Sequence, residues 1–93
     1  MSDLKECQLV PDDTIRKEYG KFDFTRLPEM EKELEEFLAA RGNYMADHSN
    51  DNLYEMQRTF LYLDGDTKLA SHMHIMTEAE FLRLRELLRK GVR

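Results

Sequence analysis

Between Leu53 and Ile75 the chain carries an apolar pattern that pivots on Asp64-Gly65, and the way this pivot folds constrains everything around it. Asp-Gly between two apolar-rich runs is a strong turn signal, because both central residues of a type I′ turn need positive φ and these two residue types tolerate it. A two-residue loop sets Tyr62 opposite Thr67, Phe60 opposite Leu69, Arg58 opposite Ser71, Met56 opposite Met73 and Tyr54 opposite Ile75. Side chains alternate along a strand, so all of these share one side. The other side receives Glu55, Gln57, Thr59, Leu61 and Leu63 from one strand and Asp66, Lys68, Ala70, His72 and His74 from the other. The pattern predicts an antiparallel β-hairpin over about 54–63 and 66–76, with Tyr54, Met56, Phe60, Tyr62, Met73 and Ile75 buried. A loop of odd length would turn one apolar set to water.

Two amphipathic helices are predicted to cover that ribbon. Over about 27–41, Leu27, Met30, Leu34, Phe37 and Leu38 recur at helical spacing, Pro28 suits a first turn, and Gly42 stands where a left-handed cap would close the helix. Over about 77–90, Thr77-Glu78-Ala79-Glu80 is a capping-box signature, Phe81, Leu84 and Leu88 form the apolar stripe, and Gly91 ends it. Upstream, Pro11 to Tyr19 reads as a short helix with Ile15 and Tyr19 on one side, and Phe22 to Phe24 as a short strand. The polar stretch from Gly42 to Asn52 reads as a loop. The expected fold is therefore a small α+β domain over residues 1–93, with residues 1–10 outside the ordered part.

A rival pattern runs through the same residues. Leu53, Met56, Phe60 and Leu63 also fit helical spacing, with Asp51 as cap and Gly65 as stop. Leu69, Ala70, Met73, Ile75, Phe81 and Leu84 then resemble the apolar skeleton of a helix-turn-helix, which implies a second helix that reads DNA. The spacing from Ile75 to Phe81 is one residue too long, His74 stands where glycine is usual, and Glu78 and Glu80 would lead the reading helix into a groove lined by phosphates. The hairpin is the preferred reading.

Ninety-three residues suffice for one modest core and not for two domains. No apolar run approaches the ~18 residues of a membrane span, and no apolar segment follows Met1 as in a secretory signal. The lone Cys7 cannot form an internal disulfide. A cytoplasmic protein is expected. Net charge is -5, and all of the excess lies early: residues 1–50 hold 7 basic and 12 acidic side chains, residues 51–93 hold 7 of each. A nucleic-acid binder normally has the opposite sign.

Few residues point to chemistry. On a strand, His72 and His74 would project from one face with Glu55 across from His74, a triplet that could hold a divalent ion, although no fourth ligand or helical metal motif accompanies it. Asp64-Gly65-Asp66 fails as a calcium loop, since Leu69 stands at the glycine position and Ile75 at the final glutamate position. Ser2, Ser49 and Ser71 lack a nucleophile-elbow frame, and Cys7 has no nearby histidine. Neither catalysis nor a cofactor is expected.

The acidic helix is the more suggestive surface. At 100° per residue Glu29, Glu33 and Glu36 share one face, Glu31 and Glu35 border the apolar stripe, and only Lys32 interrupts the negative arc. Such a face could imitate nucleic-acid phosphates and occupy a basic groove on a protein partner. Arg83, Arg85, Arg89, Lys90 and Arg93 gather at the other end of the chain, where they complement a helix dipole or mate with acidic residues of a second copy. The six methionines suit either a core or an adaptable contact surface. The expected role is a small acidic regulator or inhibitor that binds another protein, with a helix-turn-helix DNA regulator as the first alternative and a metal-binding His-x-His protein as the second.

Overall fold

The computed structural model describes residues 9–90. Within them the chain forms four α-helices and no strand: α1 (Asp12–Tyr19), α2 (Met30–Ala46), α3 (Asn50–His72) and α4 (Glu78–Arg89). The α+β expectation is overturned, because the segment expected to fold back on itself at Asp64-Gly65 is helical without interruption through His72. The expected strand at Phe22–Phe24 is irregular chain with turns on either side.

Helix α3 starts at Ser49, whose extended backbone lets its hydroxyl accept from the Asn52 N–H at 3.2 Å. The buried residues that follow are Met56, Thr59, Leu63, Thr67 and Ala70, spaced by three or four throughout. This stripe passes straight across Asp64-Gly65. Alternation had assigned Thr59, Leu63 and Ala70 to the wet side and Tyr54 and Tyr62 to the core, whereas Tyr54 is 63% and Tyr62 55% exposed. Phe60 and Leu69, the proposed cross-strand pair, lie nine residues apart and so point to opposite sides of the helix.

Asp-Gly permits a reversal without requiring one. A glycine inside a helix costs about 1 kcal/mol relative to alanine, whereas an isolated two-stranded ribbon is at best marginal in water. The flanking residues also favour the helix: Leu, Glu, Met, Gln, Arg, Lys and Ala dominate, and β-branched residues are few.

Helix α2 likewise runs through Gly42, where an added Cβ would meet nothing within 4 Å, and it ends at Asp47. Only residues 47–49 separate α2 from α3, so the expected loop over 42–52 shrinks to a tight connection. Asn52 braces it by donating from its side-chain amide to the Asp47 carbonyl at 2.8 Å and the Asn43 carbonyl at 3.3 Å. The result is an antiparallel helical hairpin, with Phe37 and Phe60 rings 6.0 Å apart along its seam. At its other end α2 begins at Met30, after a turn that contains Leu27 and Pro28.

Helices α1 and α4 close the core. Ile15 and Tyr19 of α1 and Phe81, Leu84 and Leu88 of α4 are buried with Met30, Leu34, Phe37 and Leu38 of α2. The Thr67 hydroxyl donates to the Leu63 carbonyl at 2.7 Å, so the Tyr19 hydroxyl, 2.9 Å away, donates to Thr67 Oγ1. Burial pushes the Tyr19 phenol up, which keeps it a donor. The capping box expected of α4 is present in both directions, Glu80 N–H to Thr77 Oγ1 at 3.1 Å and Thr77 N–H to Glu80 Oε1 at 2.8 Å. The roles expected of Gly91, Arg93, Cys7 and residues 1–8 fall outside the described residues.

Between α3 and α4, Ile75 N–H bonds the Ala70 carbonyl at 2.9 Å and His74 N–H bonds the Ser71 carbonyl at 3.2 Å. This is a Schellman closure with His74 in the left-handed region, φ 64°. Asp64, no longer in a turn, accepts both Arg85 Nε and Nη2 at 2.9 Å and anchors α4 to α3.

Candidate functional site

Five glutamates, Glu29 at the cap of α2 and four within it, were the predicted contact surface, and folding separates them. Glu35 leaves it, because Arg16 of α1 donates to both of its oxygens at 2.8 and 2.9 Å and holds its carboxyl below the usual range. Glu31 is exposed but turns toward a hollow lined by Phe22, Phe24 and Leu27. Glu29 and Glu36 stay exposed on the face shared with Glu33.

Glu33 is half-buried against α3. Its Oε1 is buried and accepts no hydrogen bond from an N–H or hydroxyl. The group beside it is the Asp66 carboxyl, and two carboxyls can bond to each other only if one keeps its proton. Burial, then Asp66, then the charges of Glu29 and Glu36 together push Glu33 up to about 7. No arginine or lysine is among the groups acting on it. Elsewhere the carboxylates at the helix contacts are neutralised: Asp12 by Arg41, Glu18 by Arg83 and Lys21, and Asp64 by Arg85.

Asp66 joins the site through the helical register of α3. One turn to either side of it stand Tyr62 and Leu69, which are 55% and 44% exposed. The surface therefore combines four carboxyls from two helices with two exposed apolar side chains. Strand alternation hid Asp66, Tyr62 and Leu69 from this grouping; a turn of 100° per residue through Gly65 brings all three to one side.

The alternative sites fare differently. His72 is the last residue of α3, His74 lies in the Schellman turn, and Glu55 is seventeen residues back, about 25 Å along the helix. Glu55 is instead paired with Arg58 at 2.7 Å. The proposed His72, His74 and Glu55 triplet is thus dispersed, and among the described residues no three His, Cys, Asp or Glu side chains could hold a metal ion. His48 stacks on Tyr44, ring centroids 4.4 Å apart. On α4, Glu80 is spent on the capping box, while Arg83 and Arg85 engage Glu18 and Asp64. That leaves a helix-turn-helix reading few unpaired cations for phosphate contact.

No described helix is long and apolar enough to cross a membrane. Comparisons with protein-family models, curated proteins and solved structures find no match to this chain.

Proposed function

We propose that this protein is a binding module whose α2–α3 face receives a basic, amphipathic segment of a protein partner, and that it regulates or inhibits the partner by occupying that segment. The observation that carries the reading is the gathering of acidic side chains around Glu33 with no cation among the groups that act on it. The fold sets Glu29, Glu36 and Asp66 around Glu33 with no lysine or arginine among the groups acting on it, whereas it pairs the carboxylates at its other helix contacts. Like charges held together in a partly desolvated place cost stability, and a partner that brings lysine or arginine relieves this cost on binding. Tyr62 and Leu69 supply the apolar contact that gives such a complex more than steering.

Titration calorimetry with a helical Lys/Leu peptide and its Glu/Leu counterpart tests the chemistry. The basic peptide binds, its affinity falls as salt rises, and the triple variant Glu29→Gln, Glu36→Gln, Asp66→Asn weakens it at least about tenfold. Equal affinity for the two peptides, or no effect of the triple variant, refutes the reading. Affinity capture with the same variant as control then identifies the natural partner.

A further inference from the structure

A second feature lies on a different side of α3. Gln57 and Asp66 are nine residues apart and so point in opposite directions from the helix axis. On the Gln57 side an open groove of about 370 Å³ runs between α2, α3 and α4. Its floor is made of core side chains: Phe37 and Leu88 are each 1% exposed and Met56 is 4% exposed. Phe60 forms a wall, and Leu61, 67% exposed, forms the lip. Leu61 is thus a large aliphatic side chain held in water beside an apolar cleft.

One charged group stands at the rim, Arg89. Arg16, Arg41, Arg58, Arg83 and Arg85 each engage a carboxylate, and Arg26 donates to the Met73 carbonyl at 2.9 Å. Arg89 alone among the arginines of the described residues has no hydrogen bond or ion pair, although the chain carries more acidic than basic side chains. We propose that this groove binds an aliphatic monocarboxylate, whose chain lies over Met56, Phe60 and Leu88 and whose carboxylate meets the Arg89 guanidinium.

The dimensions choose this occupant over a docked helix. The α3 wall runs from Met56 to Leu61, about 7.5 Å, scarcely more than one helical turn. The volume falls at the small end of the range for small-molecule sites. A single hydrocarbon chain covers the apolar floor and brings one anionic head to the rim, where guanidinium and carboxylate match in geometry. The Gln57 amide, at the same rim, is a further donor.

Sodium decanoate below its micelle concentration is the probe. The chain contains no tryptophan, so Leu61→Trp places a single indole at the lip as a reporter, and calorimetry on the unaltered protein gives the stoichiometry. The expected result is saturable one-to-one binding. Each added methylene tightens binding about fourfold, so octanoate binds about fifteenfold more weakly than decanoate. Arg89→Gln weakens decanoate about tenfold, and Arg89→Glu prefers decyltrimethylammonium. Arg89 is exposed, so circular dichroism of both variants should match the parent. The proposal is overturned by an absence of saturable binding, by equal affinity of the parent and Arg89→Gln for decanoate, or by equal affinity of the parent for decanoate and decyltrimethylammonium.

Discussion

Replacing Gly65 with alanine separates the helix from the hairpin by the sign of one stability change. In the structure Gly65 sits in the middle of α3, and an added Cβ would meet nothing within 4 Å. Alanine there removes the conformational entropy that glycine loses on folding and should stabilise the protein by about 0.8–1 kcal/mol. In a type I′ turn the same residue would need positive φ, and alanine would cost about 1–2 kcal/mol. The two architectures therefore differ by roughly 2–3 kcal/mol in the outcome, well above the error of a urea titration. In thermal unfolding followed by far-ultraviolet circular dichroism, the expected gain raises the midpoint by about 4–8 °C. Gly42→Ala, within α2 and also facing open space, should add a similar increment, and the distant pair should be additive. A loss of about 0.5 kcal/mol or more for Gly65→Ala, beyond the range of a neutral surface change, refutes a continuous α3.

Three further outcomes follow from the packing. Glu33 holds its proton to about 7 when folded and to its ordinary 4.5 when unfolded, so its stabilising contribution is complete below about pH 4 and is lost as pH rises through 7. With allowance for solvent screening of a half-buried group, the loss is on the order of 1–2 kcal/mol; Glu33→Gln should flatten this part of the profile in urea midpoints measured at about pH 5 and pH 8, and an unchanged slope refutes the Glu33–Asp66 contact. A double-mutant cycle on Asp64 and Arg85, whose side chains are 16% and 31% exposed, should give a coupling of about 1–2 kcal/mol. The exposed Glu55–Arg58 pair should give a clearly smaller coupling, and equal couplings for the two pairs contradict the partial burial. His74→Gly relieves a left-handed residue in the Schellman closure and should raise stability by about 0.5–1 kcal/mol; destabilisation shows that the imidazole makes a contact that outweighs the strain.

How much of this was visible in the sequence depends on the element. The α4 start was fully legible, because a capping box is local: Thr77 and Glu80 satisfy each other's backbone amides without help from the rest of the fold. The apolar spacing of α2 identified Met30, Leu34, Phe37 and Leu38, all of which are buried. Its end was misplaced because Gly42 was read as a cap, although glycine closes a helix only where the chain turns left-handed. The α3 error had the same root. Asp64-Gly65 carries a real turn preference, but Thr59, Leu63, Thr67 and Ala70 continue a helical stripe through it. Threonine and alanine are easily passed over in an apolar pattern, yet Thr59, Thr67 and Ala70 are all buried, and Thr67 meets Tyr19 of α1 and Met30 of α2. In the candidate site, helical spacing alone groups Glu29, Glu33 and Glu36. Asp66 was missed because its membership depends on which helix α2 packs against.

What the chain alone determined is the set of local signals, namely the cap at Thr77, the helical spacing of core residues on α2 and α4, and the surplus of acid in its first half. Those depend on neighbours within one or two turns, so they are written in short stretches of residues. Tertiary structure decided the rest: that α3 passes through Gly65, that Glu35 is neutralised by Arg16 while Glu33 is pressed against Asp66, and that Arg89 is left unpaired beside an apolar groove. Each of these is settled by burial and by pairing between residues far apart in the chain, where the free energy gained by covering a whole helical face exceeds the turn preference of two residues.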